Sequence, residues 1–255
     1  MTASTENALF QCLLRLGDNT LILGHRLGEW CGHAPALEED IALANTALDL
    51  MGQTRHWLTL AGTIEGQGRS EDDLAMLRDV WDFRNVLLVE QPNRDYGHTL
   101  MRQYLFDHYH LLMLHGLCDS SDSRLADIAA KSVKEVTYHA ERSAELVIAL
   151  GDGTEESHRR MQDALDRLFP FVGEMFETDA IDETMAQSGI APLPSSLRPA
   201  FDTQLDQVLA EATLSKPTDD FAHQGGRTGS RHSEHLGHLL SSMQWLQRAY
   251  PGAQW

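Results

Sequence analysis

The sequence predicts an all-α fold, and three of its features lead to that prediction. Apolar residues recur at the 3.6-residue spacing of helices through four long segments. Gly, Pro and short acidic runs separate those segments and mark where helices begin and end. No segment shows the strict apolar–polar alternation that is typical of a half-buried strand. The chain has 255 residues, 42% hydrophobic and 23% charged, which is enough for one substantial core.

The first two long helices are predicted on either side of a short turn. The first extends from about Asn7 to Cys31 and ends at the breaking residues Gly32–Pro35. The second begins behind the acidic run Glu38–Asp40, which suits the positive end of a helix dipole. It extends to about Gly62, and a shorter helix is predicted after it over about Leu74–Val89.

The third and fourth long helices follow a break at Gln91–Asn93. The third is predicted over about Tyr96–Leu117. The turn CDSSDS then supplies N-cap residues for the fourth, which is predicted over about Arg124–Leu150 and stops at Gly151–Gly153.

Three further helices are predicted over about Glu155–Phe176, Ser196–Thr213 and His232–Tyr250, separated by a Pro-rich and a Gly-rich segment. Short turns within each pair of long helices, and a long crossover between the pairs, predict a ferritin-like four-helix bundle with additional C-terminal helices. We expect a single domain over residues 1–255, with the core bundle at about 7–150 and a helical extension at about 155–255. Another kind of all-α bundle is the alternative, and periodicity alone does not separate the two.

The fourth long helix nearly contains half of a metal site. In di-iron bundle proteins, Glu-x-x-His places two ligands one turn apart on an inward face. Here the apolar face consists of Leu125, Ala129, Val133, Val136, Ala140, Ser143 and Val147. Val136 lies near its centre and His139 at its edge, whereas Glu135 lies about 110° from the centre on a helical wheel. The inward position three residues before the histidine is therefore filled by valine.

The other long helices have different residues at the centres of their apolar faces. The first has Leu23, and the second has Leu50 with Gln53 three residues later. The third has Asp107, which is costly there unless it is paired or protonated. We interpret Asp107 as a buried acid bonded to a neighbouring helix, with a metal ligand or acid–base group as the alternative. We expect Asp107 and His139 to face each other, joined by a direct or water-mediated hydrogen bond.

Composition excludes several classes of partner. The net charge of −18 argues against binding to a nucleic-acid backbone or to an anionic membrane. No apolar run approaches the length of a membrane span. Cys12, Cys31 and Cys118 are scattered, which indicates reduced thiols rather than a disulfide framework. The first twenty residues lack a basic start followed by an apolar signal core, so we expect a cytoplasmic protein.

Three other groups of residues could form binding sites or could be ordinary surface residues. His232, His235 and His238 have i, i+3 spacing and could meet a metal, although histidines on a polar helix start are often only solvated. The loop Gly225–Gly229 could contact a phosphate or a partner, but it follows no predicted strand and reads by default as a flexible loop. The last turn of the first helix is either an interface or a solvated end. Its residues are His25, Arg26, Glu29 and Trp30.

Five segments resemble the C subunits of ring-1,2-phenylacetyl-CoA epoxidases, which are multicomponent bacterial monooxygenases of aerobic phenylacetate breakdown. They are RLGDNTLILGHRLGEWCGHAP, LANTALDLMGQTR, LLVEQPN, KEVTYHAERS and HSEHLGHLLSSMQWLQRAYPGAQW. The resemblance covers nearly the whole chain, and it implies a ferritin-like fold.

The resemblance implies a structural, non-catalytic subunit that contains no cofactor. In that family the A subunit is the catalytic di-iron protein, and the C subunit is similar to it in fold. Most di-iron ligand positions of the catalytic pattern are changed in this chain, where one carboxyl group and one imidazole remain. The corresponding residues are Leu23, Leu50, Gln53, Asp107, Val136 and His139.

The resemblance also implies the partners and the chemistry of the complex. The partners would be the catalytic A subunit, further subunits and a reductase that passes electrons from NADPH, and the substrates would be aryl-acetyl-CoA thioesters and dioxygen. Two alternatives stay open from the residues: a catalytically active di-iron oxygenase subunit, and a stand-alone ferritin-like metal-binding protein.

Overall fold

The computed structural model describes residues 3–218 and 221–253 of the chain, which contain ten α-helices and no β-strand. The predicted all-α fold is therefore confirmed. The helices are α1 (Ala3–Gly28), α2 (Leu37–Glu65), α3 (Glu71–Met76), α4 (Leu87–Glu90), α5 (Tyr96–Cys118), α6 (Ser123–Gly151), α7 (Glu155–Leu168), α8 (Ala180–Gln187), α9 (Pro194–Glu211) and α10 (Glu234–Ala249). Three 3₁₀ turns occur at Val80–Asp82, Phe169–Phe171 and Gly173–Phe176.

Contacts group the chain into two compact units. The first comprises the residues up to Pro92 together with those from Gln224 onward, and the second comprises Asn93–His223. Each unit contains one pair of long helices, α1 with α2 and α5 with α6. This order of two helix pairs is consistent with a ferritin-like bundle. A single domain over the whole chain stays a prediction.

In the first unit, α1 and α2 pack closely as an antiparallel pair. Gly17 of α1 lies against Leu58, and Gly24 lies against Met51, so the two chain directions are opposed. A Cβ atom at Gly17 would come within 2.6 Å of a Leu58 methyl carbon, which shows why the position has no side chain.

The segment predicted as one helix over Leu74–Val89 is two short helices, α3 and α4, joined by irregular chain. The reason lies in α1, where buried polar side chains bind the backbone of this segment. The Asp18 carboxylate accepts from the Arg84 N–H at 2.8 Å, and Asn19 Oδ1 accepts from the Val86 N–H at 2.8 Å. Arg78 adds a buried ion pair to Asp18. Backbone donors bonded in this way are not available for a continuous helix.

The second unit is built around α5 and α6. Residues on all sides of α5 are buried from Gly97 to His110, so this helix lacks the solvent-facing side of an ordinary surface helix. On α6 the predicted apolar face is buried, except that Val133 is half-buried. The helices α7 and α9 pack against both α5 and α6.

Two predicted elements of the second unit differ from the structure. The helix predicted over Glu155–Phe176 ends at Leu168, because Pro170 lacks the N–H that a helix interior needs, and 3₁₀ turns follow. The helix α8 was not predicted. Its N-cap is Asp179, which accepts from the N–H groups of Ile181 and Asp182.

Candidate functional site

The three sequence-predicted site positions of the first unit are occupied by buried side chains of α1 and α2. Leu23 and Leu50 are fully buried, and Gln53 is 1% exposed. On the same helix faces, the hydroxyl oxygens of Thr20 and Thr54 lie 2.8 Å apart and form a hydrogen bond between α1 and α2. The apolar centres predicted from the helical wheels are therefore confirmed as core, and two of the three positions carry no metal-ligating atom.

The other three positions lie in the second unit. Asp107 on α5 is 1% exposed, while Val136 and His139 on α6 are 0% and 3% exposed. Asp107 connects the two helices through hydrogen bonds. The Gln103 amide donates to Asp107 Oδ1 at 2.6 Å, and the Ser143 hydroxyl lies 3.2 Å from Asp107 Oδ2.

Burial raises the pKa of Asp107 well above its ordinary value, and the Gln103 and Ser143 hydrogen bonds only partly oppose that rise. The geometry agrees with a neutral acid. Ser143 Oγ also lies 3.2 Å from the carbonyl oxygen of Ala140, but a hydroxyl has only one hydrogen. If Asp107 carries a proton on Oδ2, it donates to Ser143, and Ser143 donates to Ala140. Both contacts are then hydrogen bonds.

A direct or water-mediated hydrogen bond was expected between Asp107 and His139. The direct bond is not formed, and Asp107 binds α6 through Ser143. Ser143 lies four residues beyond His139, about 6 Å along the helix axis. His139 has His110 of α5 as a neighbour. Burial, followed by the field of His139, lowers the pKa of His110 to about 3, so its ring is neutral at physiological pH.

The six positions do not fit a di-iron centre. Such a centre in a helix bundle takes about four carboxylates and two histidines. These positions supply one imidazole and one carboxyl group, whose pKa burial raises and whose two oxygens are both in hydrogen bonds. In residues 3–218 and 221–253, no group of three or more His, Cys, Asp or Glu side chains could hold a metal ion.

A second buried polar cluster, which the sequence did not predict, surrounds Glu90 at the end of α4. Its carboxylate is fully buried and is bound by His232 Nδ1 at 2.5 Å, the Ser233 N–H at 2.8 Å, the Ser233 hydroxyl at 2.6 Å and the Asn85 amide at 3.0 Å. His232 Nε2 faces the carbonyl oxygen of Phe83 at 3.3 Å. Both ring nitrogens of His232 therefore face protein oxygens.

The Glu90 cluster decides the role of His232, the first of the three spaced histidines. Its two ring nitrogens bind protein oxygens within the first unit, so His232 does not contribute to a metal site with His235 and His238. The sequence carried one signal for this cluster. Glu90 closes the apolar run VLLVE, and a carboxylate next to such a run needs buried donors.

The last turn of α1 is partly internal. Arg26 is 7% exposed and donates to the Glu90 carbonyl oxygen at 2.8 Å and to Glu29 at 3.1 Å. Burial lowers the pKa of His25, with Glu29 acting in the opposite direction. Arg26 therefore joins α1 to α4 rather than presenting its charge to a partner.

The glycine-containing loop over 225–229 is a hydrogen-bonded turn. The Gly225 carbonyl oxygen accepts from the Ser230 N–H at 3.0 Å and from the Thr228 hydroxyl at 3.0 Å. Arg15 Nε of α1 donates to the carbonyl oxygen of Arg227 at 3.2 Å. These bonds fix the loop against α1.

Among the described residues, no helix has the length and apolarity required to traverse a lipid bilayer.

Comparison with known proteins gives two matches that cover the chain. A family model described as phenylacetic acid catabolic protein matches residues 1–255. The chain is also similar to the C subunit of the 1,2-phenylacetyl-CoA epoxidase from Escherichia coli (strain K12). The two sequences are 47% identical over 249 residues, which cover 98% of this chain and 100% of that relative.

Proposed function

This chain belongs to the phenylacetic acid catabolic protein family, and on that basis we propose that it is a structural, non-catalytic subunit of a 1,2-phenylacetyl-CoA epoxidase. One observation carries the proposal. The similarity to the C subunit of such an epoxidase extends over essentially the full length of both chains at 47% identity.

The side chains at the centres of the long helices support a non-catalytic role. Leucine and valine occupy three of the positions at which a di-iron bundle needs ligands. Both carboxyl oxygens of Asp107 are bonded to Gln103 and Ser143, and burial raises its pKa, which disfavours the charged form that would bind a cation. We therefore place the di-iron centre in a partner subunit of similar fold and assign no cofactor to this chain.

The complex would act in phenylacetate breakdown in the cytoplasm. It would epoxidise aryl-acetyl-CoA thioesters with dioxygen and with electrons from NADPH, delivered through a reductase. This chain would contribute rigidity. A homologous helix bundle packed on the catalytic subunit buries a large helix face and fixes the helices that hold the iron.

Co-expression with the catalytic subunit of the same organism tests the proposal. Size-exclusion chromatography with light scattering should show one stable complex with equal amounts of the two subunits. Epoxidation of phenylacetyl-CoA should require both. Two independent peaks at micromolar concentration, or full epoxidation without this chain, would refute the proposal.

A further inference from the structure

Among the described residues of the first unit, five of the eight exposed large apolar side chains lie in two short segments, and the other three, Leu37, Ile41 and Leu48, lie on α2. Trp81, in the first 3₁₀ turn, is 62% exposed, and Trp245 on α10 is 61% exposed. Leu77, Leu246 and Tyr250 are 55%, 39% and 56% exposed. Tryptophan is the residue type most enriched among the energetic centres of protein interfaces, so two exposed tryptophans beside one helix indicate an interaction surface.

A groove of about 710 Å³ runs along α10 between these segments. On α10 it is lined by Gly237, Ser241 and Trp245, which are spaced four residues apart and share one helix face. Asp79 and Val80 line it from the other side. A Cβ atom at Gly237 would meet only Val80, at 3.9 Å. The floor of this α10 groove therefore contains the small residues Gly237 and Ser241 together with the buried Leu240 and Gln244, and Trp245 lies on the same helix face as the small residues.

The charges at the α10 groove leave it acidic. Arg248 also lines the groove, with its side chain 39% exposed, and it donates to the Arg78 carbonyl oxygen at 2.8 Å and to the Leu77 carbonyl oxygen at 3.4 Å. It therefore caps the end of α3. The Asp79 side chain is 78% exposed, and its ion pair with Arg248 is long, at 3.4 Å. Glu234 is exposed at the other end of the groove. With a net charge of −18 on the whole chain, this surface favours a cationic partner.

We propose that the α10 groove is the docking site for an amphipathic helix of another subunit of the epoxidase complex, a helix with an apolar seam and Lys or Arg along one flank. This inference rests on the proposed function and adds the surface and the chemistry of the partner. The small residues let a second helix backbone approach closely, and Trp245 packs against its apolar seam. Glu234 and Asp79 select and orient its basic flank.

Binding of the remaining epoxidase subunits, each purified separately, tests this assignment. Trp245→Ala should weaken the affinity for one of them by about tenfold or more, the effect of losing an interfacial tryptophan. Gly237→Leu should weaken the same interaction by filling the groove floor. Glu234→Lys should slow association and reduce its dependence on salt. Tyr138→Ala is the matched control, because Tyr138 is an aromatic residue of α6 that is 55% exposed, and its loss should leave affinity unchanged.

The outcomes separate this inference from the proposed function. If the parent chain binds no other subunit, the proposed function fails. If the parent binds but Trp245→Ala and Gly237→Leu bind equally well, only the groove assignment is overturned. It is also overturned if the chain alone forms a dimer that Trp245→Ala dissociates, since the groove would then hold a second copy.

Discussion

At the scale of single residues, Asp107 is kept inside the α5–α6 pair by neutral partners. Gln103 donates to one carboxyl oxygen, and the Ser143 hydroxyl lies 3.2 Å from the other carboxyl oxygen and 3.2 Å from the Ala140 carbonyl oxygen. Both hydrogen-bond partners are uncharged, and burial raises the pKa of the Asp107 carboxyl group. The group therefore acts as a hydrogen-bonding bridge between helices.

Replacing Asp107 with asparagine tests this protonation. The folded-state pKa lies above the ordinary value of 3.8, so the stability from this acid is fully present below that value. It is lost as pH rises towards the folded-state pKa. Asp107→Asn should cost about 0.5–1.5 kcal/mol at acidic pH, the range for one neutral hydrogen bond. The difference in the free energy of unfolding between the parent and Asp107→Asn should shrink as pH rises. Urea unfolding at pH 5 and pH 8 measures that difference.

Asp107→Asn should also leave epoxidation by the assembled complex largely intact, because an acid with this role does no chemistry. A deficit that grows with pH would mean that Asp107 is ionised in the folded protein, and a complex that assembles but does not turn over would give it a catalytic role.

Val136→Glu places a glutamate where a di-iron bundle would have one. Val136 is fully buried, so we expect a loss of about 2–4 kcal/mol from disturbed packing and an unsatisfied carboxyl group. This loss of stability comes from burial of the carboxyl group rather than from repulsion by Asp107. Asp107 contacts α6 at Ser143, which lies seven residues, about 10.5 Å along the helix axis, from Val136. Val133→Glu is the matched control on the same helix, and at its half-buried site the loss should be smaller.

Thermal melting with and without ferrous iron measures this prediction. A Val136→Glu variant that binds iron and melts above the parent would show a dormant metal site and contradict the scaffold role.

The residue scale also shows what sequence could predict about the site. A helical wheel assigned Leu23, Leu50, Asp107 and Val136 to inward faces, and all four are buried. The wheel fixes an angle about the axis but not the axial register between two helices. Asp107 therefore meets Ser143 rather than His139, although both lie on the inward side of α6.

At the scale of elements, the long helices were predictable because each carries its apolar period over several turns. The segment between α2 and α5 was not, since its conformation depends on Asp18 and Asn19 of α1, which are far away in sequence. Glu90 and His232 are likewise 142 residues apart. Local periodicity carries no information about such long-range hydrogen bonds, which decide where α4 ends and where α10 begins.

Glu90→Gln should loosen the connection between α4 and α10. The change removes a buried charge that His232 and Ser233 bind, and losing one partner of a buried pair costs about 3–5 kcal/mol. The control is Glu71→Gln, whose ion pair with the largely exposed Arg55 should contribute at most about 1 kcal/mol. Urea unfolding compares the two, and equal losses would show that the Glu90 cluster is not a structural connection.

At the scale of the whole molecule, family membership and side-chain chemistry both support the proposed scaffold role of this chain beside a catalytic partner subunit. The family match covers residues 1–255. Core packing in a helix bundle depends on apolar volume, and the buried side chains of Leu23, Leu50 and Val136 supply such volume. A scaffold protein can in this way keep the surfaces of a di-iron relative while its interior becomes an ordinary hydrophobic core.

Iron should therefore leave the stability of this chain unchanged. A ligand that binds the folded state raises the melting temperature, by an amount that grows with the ratio of its concentration to its Kd. A buried di-iron site would couple metal binding directly to folding. We expect the purified chain to melt within about 1 °C of the same temperature with anaerobic ferrous iron or with chelator, a range well below the shift that 1 kcal/mol produces in a small domain. The catalytic subunit, measured in parallel, should melt higher with iron. About two irons per chain, together with a raised melting temperature, would instead identify this protein as a metal-binding oxygenase.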